Sequence, residues 1–206
     1  ALEIGGAPGQ WVAYLNKYYG YNVSVIEYTE KGGQKTRENL DLLGANIDIY
    51  QRDFFDDLSD LPRFDIVLSM GFVEHFQDLN DVFQRHINLL KKGGILVVGV
   101  PNFAGIAQKV LAHTAPKMLS RHNLKAMNLK NWSGIENIYG LTALYKGYIG
   151  GFLPKNLARC EHRTIKNLSI RYFFKMLHSV WSLFPFLRKY NSPKWSAYLI
   201  GIYKCP

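Results

Sequence analysis

Short apolar runs at 1–4, 22–28, 47–52, 64–69 and 95–101 alternate with longer stretches whose apolar residues recur at helical spacing, such as 10–19 and 78–90. The runs are rich in Val, Ile and Leu and do not alternate strictly with polar residues, the pattern of strands covered on both faces. Strands alternating with helices predict right-handed crossovers and a doubly wound α/β sheet. A ligand of such a sheet sits beyond the carboxyl ends of the strands, where the strand order reverses. Further on, 103–138 reads as helical and polar-basic, 141–149 as a strand and 196–203 as a last strand, so the sheet is expected to extend past five strands.

The run at 168–184 has a different pattern. It places Arg171, Lys175, His178 and Ser182 on one narrow helical stripe, surrounds them with apolar side chains, and ends near Pro185. An apolar face this broad is expected to be buried, either on the domain or against a partner subunit in a homo-oligomer. The alternative is contact with a membrane surface or a lipid-linked substrate, with the basic residues meeting phosphates.

With 206 residues, 48% of them hydrophobic, the chain can bury one full core, and a single domain spanning 1–206 is expected. Within it, 1–104 forms the ligand-binding core and 105–206 the substrate side. The first strand starts at residue 1 without an initiator Met, so an upstream segment is expected. No apolar run reaches the roughly 18 residues of a membrane span and no leader pattern opens the chain, which leaves a cytoplasmic location as the expectation. Only Cys160 and Cys205 are present, with no C-x-x-C pair or Cys/His cluster at ligand spacing, so neither a disulfide framework nor a zinc site is signalled.

Charge divides the chain in two. Residues 1–84 hold 6 Lys/Arg against 14 Asp/Glu, whereas residues 85–206 hold 19 against 2. The basic half suits an anionic partner such as a phosphorylated or diphosphate-linked substrate, nucleic acid or an acidic lipid headgroup.

The loop after the first strand reads Glu3-Ile4-Gly5-Gly6-Ala7-Pro8-Gly9-Gln10. Its glycines permit close approach to the backbone, and the helix that follows offers free N–H groups. Ala7 and Gln10 break the glycine spacing of nicotinamide enzymes, and no Gly-Lys-Ser/Thr follows as in nucleotide-phosphate loops. Strand two ends in Glu27-Tyr28 and strand three in Asp53-Phe54, so two successive strands each deliver a carboxylate to the same rim. Strand four ends in Ser69-Met70 and runs into Gly71-Phe72-Val73-Glu74-His75-Phe76, and a Lys91-Lys92-Gly93-Gly94 turn precedes strand five.

Taken together, these phrases resemble the class I, Rossmann-like S-adenosylmethionine-dependent methyltransferases, in particular the type 11-like branch that acts on small molecules. The likeness is close over 1–101, with Ala7 in place of the middle glycine of the family's first motif. It is looser beyond, where 147–152 and 196–200 look like the last strands of methyltransferases from polysaccharide and sugar gene clusters. The resemblance implies a mostly parallel seven-stranded sheet and a cofactor site at Gly5, Gly6, Ala7, Gly9, Glu27, Tyr28, Asp53, Phe54, Ser69 and Met70. In that site Glu27 accepts from the ribose hydroxyls, Asp53 accepts from the adenine amino group, and Phe54 flanks the ring. S-adenosylhomocysteine would be the product.

If the acceptor is a hydroxyl, a base must take its proton, and His75 is the best-placed candidate. The same histidine could instead order its loop or pack beside the cofactor. His122 is a second candidate for acceptor contact. Some relatives bind a divalent metal through E-x-x-E-H, but Gly71 stands where the first Glu would be, so no metal is expected. Motifs of DNA-base methylation are missing after strand four. The expected acceptor is a small or carrier-linked metabolite, with a sugar or its nucleotide- or lipid-linked form preferred. An RNA methyltransferase, a catalytically silent binding module and, more distantly, a nicotinamide oxidoreductase are the rival readings.

Overall fold

A computed structural model describes residues 1–45 and 47–206. In chain order the elements are β1 (Leu2–Ile4), α1 (Gln10–Tyr19), β2 (Ser24–Ile26), α2 (Glu30–Asp41), β3 (Asp48–Tyr50), β4 (Phe64–Met70), α3 (Leu79–Asn88), β5 (Leu90–Pro101), α4 (Ile106–Thr114), α5 (Pro116–Ser120), α6 (Leu129–Tyr139), β6 (Thr142–Phe152), α7 (Ile165–Ser182) and β7 (Ser196–Lys204). The seven strands form one sheet in the order β3-β2-β1-β4-β5-β7-β6. Strands one to five are parallel, and β7 runs antiparallel between β5 and β6. This is the doubly wound, mostly parallel sheet that the apolar runs imply.

The central strands are buried on both faces, which is why their sequences do not alternate. Leu2, Ile4, Val67, Leu96, Val98 and Val100 have no measurable exposure. Helix boundaries follow local chemistry. Gly9 and Gly20, both left-handed, bracket α1, and the Thr29 and Asp78 side chains cap α2 and α3. Capping by Asp78 starts α3 one residue later than the periodicity suggests. The Lys91 to Gly94 phrase, read as a turn ahead of strand five, lies inside β5, where the pairing with β4 slips between Phe64 and Ile66 and Gly93 adopts φ +74°.

The larger departure concerns α7. Of the covers expected for its apolar face, the domain is not the one, since Tyr172, Phe173, Met176, Val180 and Leu183 are exposed. The helix rests on the body through its opposite side, where Phe174 packs against the core and the Trp181 ring meets Phe152 edge-on at 5.4 Å. Arg171 and His178 of the expected polar stripe are half-buried on that inner side, while Lys175 and Ser182 are exposed. The helix has more apolar surface than one contact can cover, so part of it stays outside.

Beneath the loop after β1, the Glu3 carboxyl is almost fully buried and its Oε2 accepts from the Val12 N–H at 3.1 Å, tying β1 to the first turn of α1. Burial pushes this carboxyl up to about 8, only partly offset by the Val12 bond. A carboxyl that holds its proton more tightly when folded stabilises the fold most at low pH, and that stability declines as pH rises from about 4.5 to about 8. Urea unfolding of Glu3→Gln should therefore lose less stability than the parent across that window. The difference is at most about 5 kcal/mol, from about 1.4 kcal/mol per pH unit across the window. Parallel curves for parent and variant would show that Glu3 does not titrate there.

Candidate active site

Strand order reverses between β1 and β4, so the connections leaving these neighbours turn to opposite faces of the sheet and part above their carboxyl ends. A cavity of about 530 Å³ lies there, within the size range of small-molecule and cofactor sites. Gly5, Glu27, Tyr28, Asp53, Phe54 and His75 all line it. The two carboxylates separated by a whole strand–helix unit thus share one cavity.

Glu27 follows β2 and is nearly buried. Its Oε1 accepts from the Thr29 N–H at 3.0 Å and from the Thr29 hydroxyl at 2.7 Å, while that hydroxyl accepts from the Gly32 N–H at 3.1 Å. A Cβ at Gly32 would lie 2.6 Å from Oε1, so glycine is needed for α2 to start against this carboxylate. Oε1 is thereby fixed, and Oε2 has no hydrogen-bond partner among the described residues, leaving it for a ligand.

Asp53 comes three residues after the end of β3. Its Oδ1 accepts from the Phe55 N–H at 2.9 Å, a turn that fixes the side chain at the rim. Phe54 is buried and meets Phe72 edge-on at 5.3 Å, so it presents part of one ring to the cavity while packing in the core. Phe55, Phe72 and Phe76 complete an aromatic wall that the sequence reading did not assign. The Phe72 ring lies directly on the turn after β1, where a Cβ at Gly5 would come within 2.6 Å of it. Gly5 also adopts φ +64°, so both conformation and space require glycine there.

The other residues expected at the cofactor do not line this cavity. Gly6 is buried under the turn, where a Cβ would crowd Val25 and Glu3, and Gly9 starts α1 against Thr36. Their missing side chains serve the packing of the loop. Ala7 is exposed. Ser69 is fully buried beside Ile4 of β1, and Met70 lies over Gly99 of β5.

At the opposite end of the cavity from the acidic rim stands a cluster that the sequence shows only in part. Val73–His75 forms a single 3-10 turn after β4, held to the segment before α6 by the Asn123 N–H, which donates to the Glu74 carbonyl at 2.6 Å. This bond brings His122 beside His75, with ring centroids 4.8 Å apart. The His75 Nε2 is 3.9 Å from the Glu74 Oε1, and one ligand atom from each of Glu74, His75 and His122 lies within 4.8 Å of the others. The Nδ1–H of His122 donates to the Met118 carbonyl at 2.7 Å, which leaves its Nε2 to accept a proton.

Glu74 is 1% exposed, its Oε2 is without a partner among the described residues, and burial pushes it up to about 7. Burial lowers His122, and the nearby His75, Arg159 and Arg121 add to that effect. A site on the missing Cβ of Gly71 would be 3.5 Å from the Tyr198 hydroxyl and 3.6 Å from the Glu74 Oε1, so polar groups from β7 and from the turn after β4 converge there. Glu74 is absent from the sequence-based site because a buried carboxyl cannot be told from an exposed one by position alone. The "Glu-His" phrase was the available signal.

Comparison with known proteins agrees with this geometry. A family profile described as a methyltransferase domain matches residues 1–94. A search of curated proteins gives no match. Among solved structures, the MccD protein is 15% identical with a TM-score of 0.66, covering 100% of this chain and 89% of its own. A SAM dependent methyltransferase from Archaeoglobus fulgidus is 17% identical with a TM-score of 0.63, covering 98% and 84%. The plantazolicin methyltransferase BamL, solved with a triazolic desmethylPZN analog and SAH, is 12% identical with a TM-score of 0.63, covering 99% and 76%. At such identities the structural likeness is one of fold, while the profile match rests on the sequence of residues 1–94. Residues 1–94 thus match the methyltransferase-domain family, and the whole chain has the Rossmann-like fold of these S-adenosylmethionine-dependent methyltransferases.

Proposed function

We propose that this domain methylates a hydroxyl of a small or carrier-linked anionic metabolite, such as a sugar in nucleotide- or lipid-linked form, with His75 as the base that receives the hydroxyl proton. The observation that carries this reading is that His75 lines the same cavity as Glu27 and Asp53 and has Glu74 and His122 directly behind it. Arg121 and Arg159 near His122, together with the basic C-terminal half, favour an anionic acceptor. Because related folds act on different acceptors, acceptor identity must come from this end of the cavity.

The cavity fits the cofactor by size and by the chemistry of its walls. Glu27 would hold the ribose diol through its free oxygen, Asp53 the adenine amino group, Phe54 the ring, and Gly5 the backbone approach for the methionine part. The cofactor supplies an activated methyl group on a positively charged sulfur, and transfer is an in-line displacement that cancels that charge. The aromatic wall of Phe55, Phe72 and Phe76 keeps water out of the path. The proton leaving the acceptor hydroxyl passes to the His75 imidazole. The Glu74 carboxyl, ionising near neutrality, positions that ring and compensates its new charge.

Two measurements test this. Calorimetric titration with S-adenosylhomocysteine should show Asp53→Ala weakened by about 1–3 kcal/mol, the usual cost of leaving a buried donor unpaired, and an unchanged affinity would remove the adenine assignment. In transfer assays over panels of sugar, nucleotide-linked and RNA acceptors, His75→Ala should lower kcat by roughly 10²–10⁴ with cofactor affinity retained. The rate should climb as pH passes about 7 and Glu74 ionises, and Glu74→Gln should move that inflection. Chelator-sensitive transfer restored by a divalent cation would instead assign the Glu74, His75 and His122 cluster to metal binding. Salt-sensitive transfer confined to RNA would replace the acceptor class.

A further inference from the structure

The exposed face of α7 and the turn after it have no place in methyl transfer. We propose that this face docks the protein on an anionic lipid bilayer, lying in the headgroup layer with its apolar side chains inserted. Ile165, Tyr172, Met176 and Leu183 are 87%, 63%, 64% and 74% exposed, and Phe173 and Val180 widen the strip along the helix. Phe184 and Phe186, also exposed, extend it into the 3-10 turn Pro185–Lys189. A continuous surface of this size on a water-soluble fold marks an interaction site, and a helix of 18 residues lying flat has the length of an interfacial anchor. No helix among the described residues is long and apolar enough to cross a membrane, so the contact is with the surface.

Charge selects the occupant. Arg163, Lys166, Lys175, Arg188, Lys189 and Lys194 border the apolar strip, all of them exposed, and the sequence from residue 162 to residue 206 contains no Asp or Glu. A second copy joined through this face by two-fold symmetry would set these cations against each other with no acid to pair them. A bilayer rich in acidic headgroups offers the complementary charge and an apolar layer beneath it. Beside the strip is a groove of about 250 Å³ lined by Ile106, Phe152, Trp181, Leu187, Tyr190 and Trp195. Its walls are suited to the interface, since indole and phenol rings pair an apolar body with a polar edge. Ile106 follows the carboxyl end of β5 by five residues, so the docking face and the methyl-transfer cavity lie on the same edge of the sheet. Docking does not depend on the acceptor assigned above.

The test is co-sedimentation of the full chain with vesicles of phosphatidylcholine alone or mixed with phosphatidylglycerol. Binding is expected on the anionic vesicles and at least tenfold weaker on the neutral ones. The double variant F173S/M176S should lose at least tenfold of the anionic binding, and so should K166E/K175E, with melting temperature and S-adenosylhomocysteine affinity unchanged in both. These positions are exposed, so the fold tolerates them. Failure to bind anionic vesicles would overturn the proposal. So would undiminished binding by F173S/M176S, which would place the contact elsewhere on the basic half. A stable dimer that the same variant dissociates would assign the face to a second copy instead.

Discussion

The structure depends on β1, a three-residue strand fully buried between β2 and β4, and on the turn that leaves it. Because the chain turns to one face after β1 and to the other after β4, no backbone fills the space above them. That space becomes a cavity only if the turn stays low, and three contacts keep it there. Gly5 takes a left-handed conformation under the Phe72 ring, Gly6 lies against Val25 and Glu3, and the Glu3 carboxyl holds the first turn of α1. The cost is a buried carboxyl that resists ionisation, an instability the fold accepts where it needs geometry.

From this frame the two ends of the cavity acquire different chemistry. The acidic end is built from the loops after β2 and β3, where Glu27 and Asp53 each spend one oxygen on their own backbone, fixing the other for a ligand. The opposite end is built from the turn after β4 and the segment leading into α6, joined by the bond between Asn123 and Glu74. Burial brings Glu74 close to neutrality and keeps His122 uncharged more readily than a free imidazole. A carboxyl that can exchange a proton near pH 7 therefore sits beside two imidazoles at this end of the cavity.

Much of this was legible in the sequence because it rests on strand order. Runs of Val, Ile and Leu ending in Glu27 and Asp53 identify consecutive parallel strands, and parallel strands deliver their ends to one edge. The same argument cannot separate Gly5, which lines the cavity, from Gly6 and Gly9, which pack the loop, since all three lack a side chain for different reasons. Phe72 and Phe76 become cavity walls only through the 3-10 turn between them, a local geometry that hydrophobic periodicity does not encode. His122 joins His75 through a tertiary bond spanning 49 positions, from Glu74 to Asn123. The apolar pattern of α7 calls for a cover without saying which surface supplies it, and the domain itself covers only the face that carries Phe174 and Trp181.

The central claim is that the acidic end of this cavity holds an adenosyl group, and hydrogen exchange with and without S-adenosylhomocysteine addresses it most directly. Slower exchange should be confined to amides of the loops after β1, β2 and β3, Gly5, Thr29 and Phe55 among them, with α7 unchanged. Protection centred on α7, or no protection at any of the three loops under saturating ligand, would contradict the account.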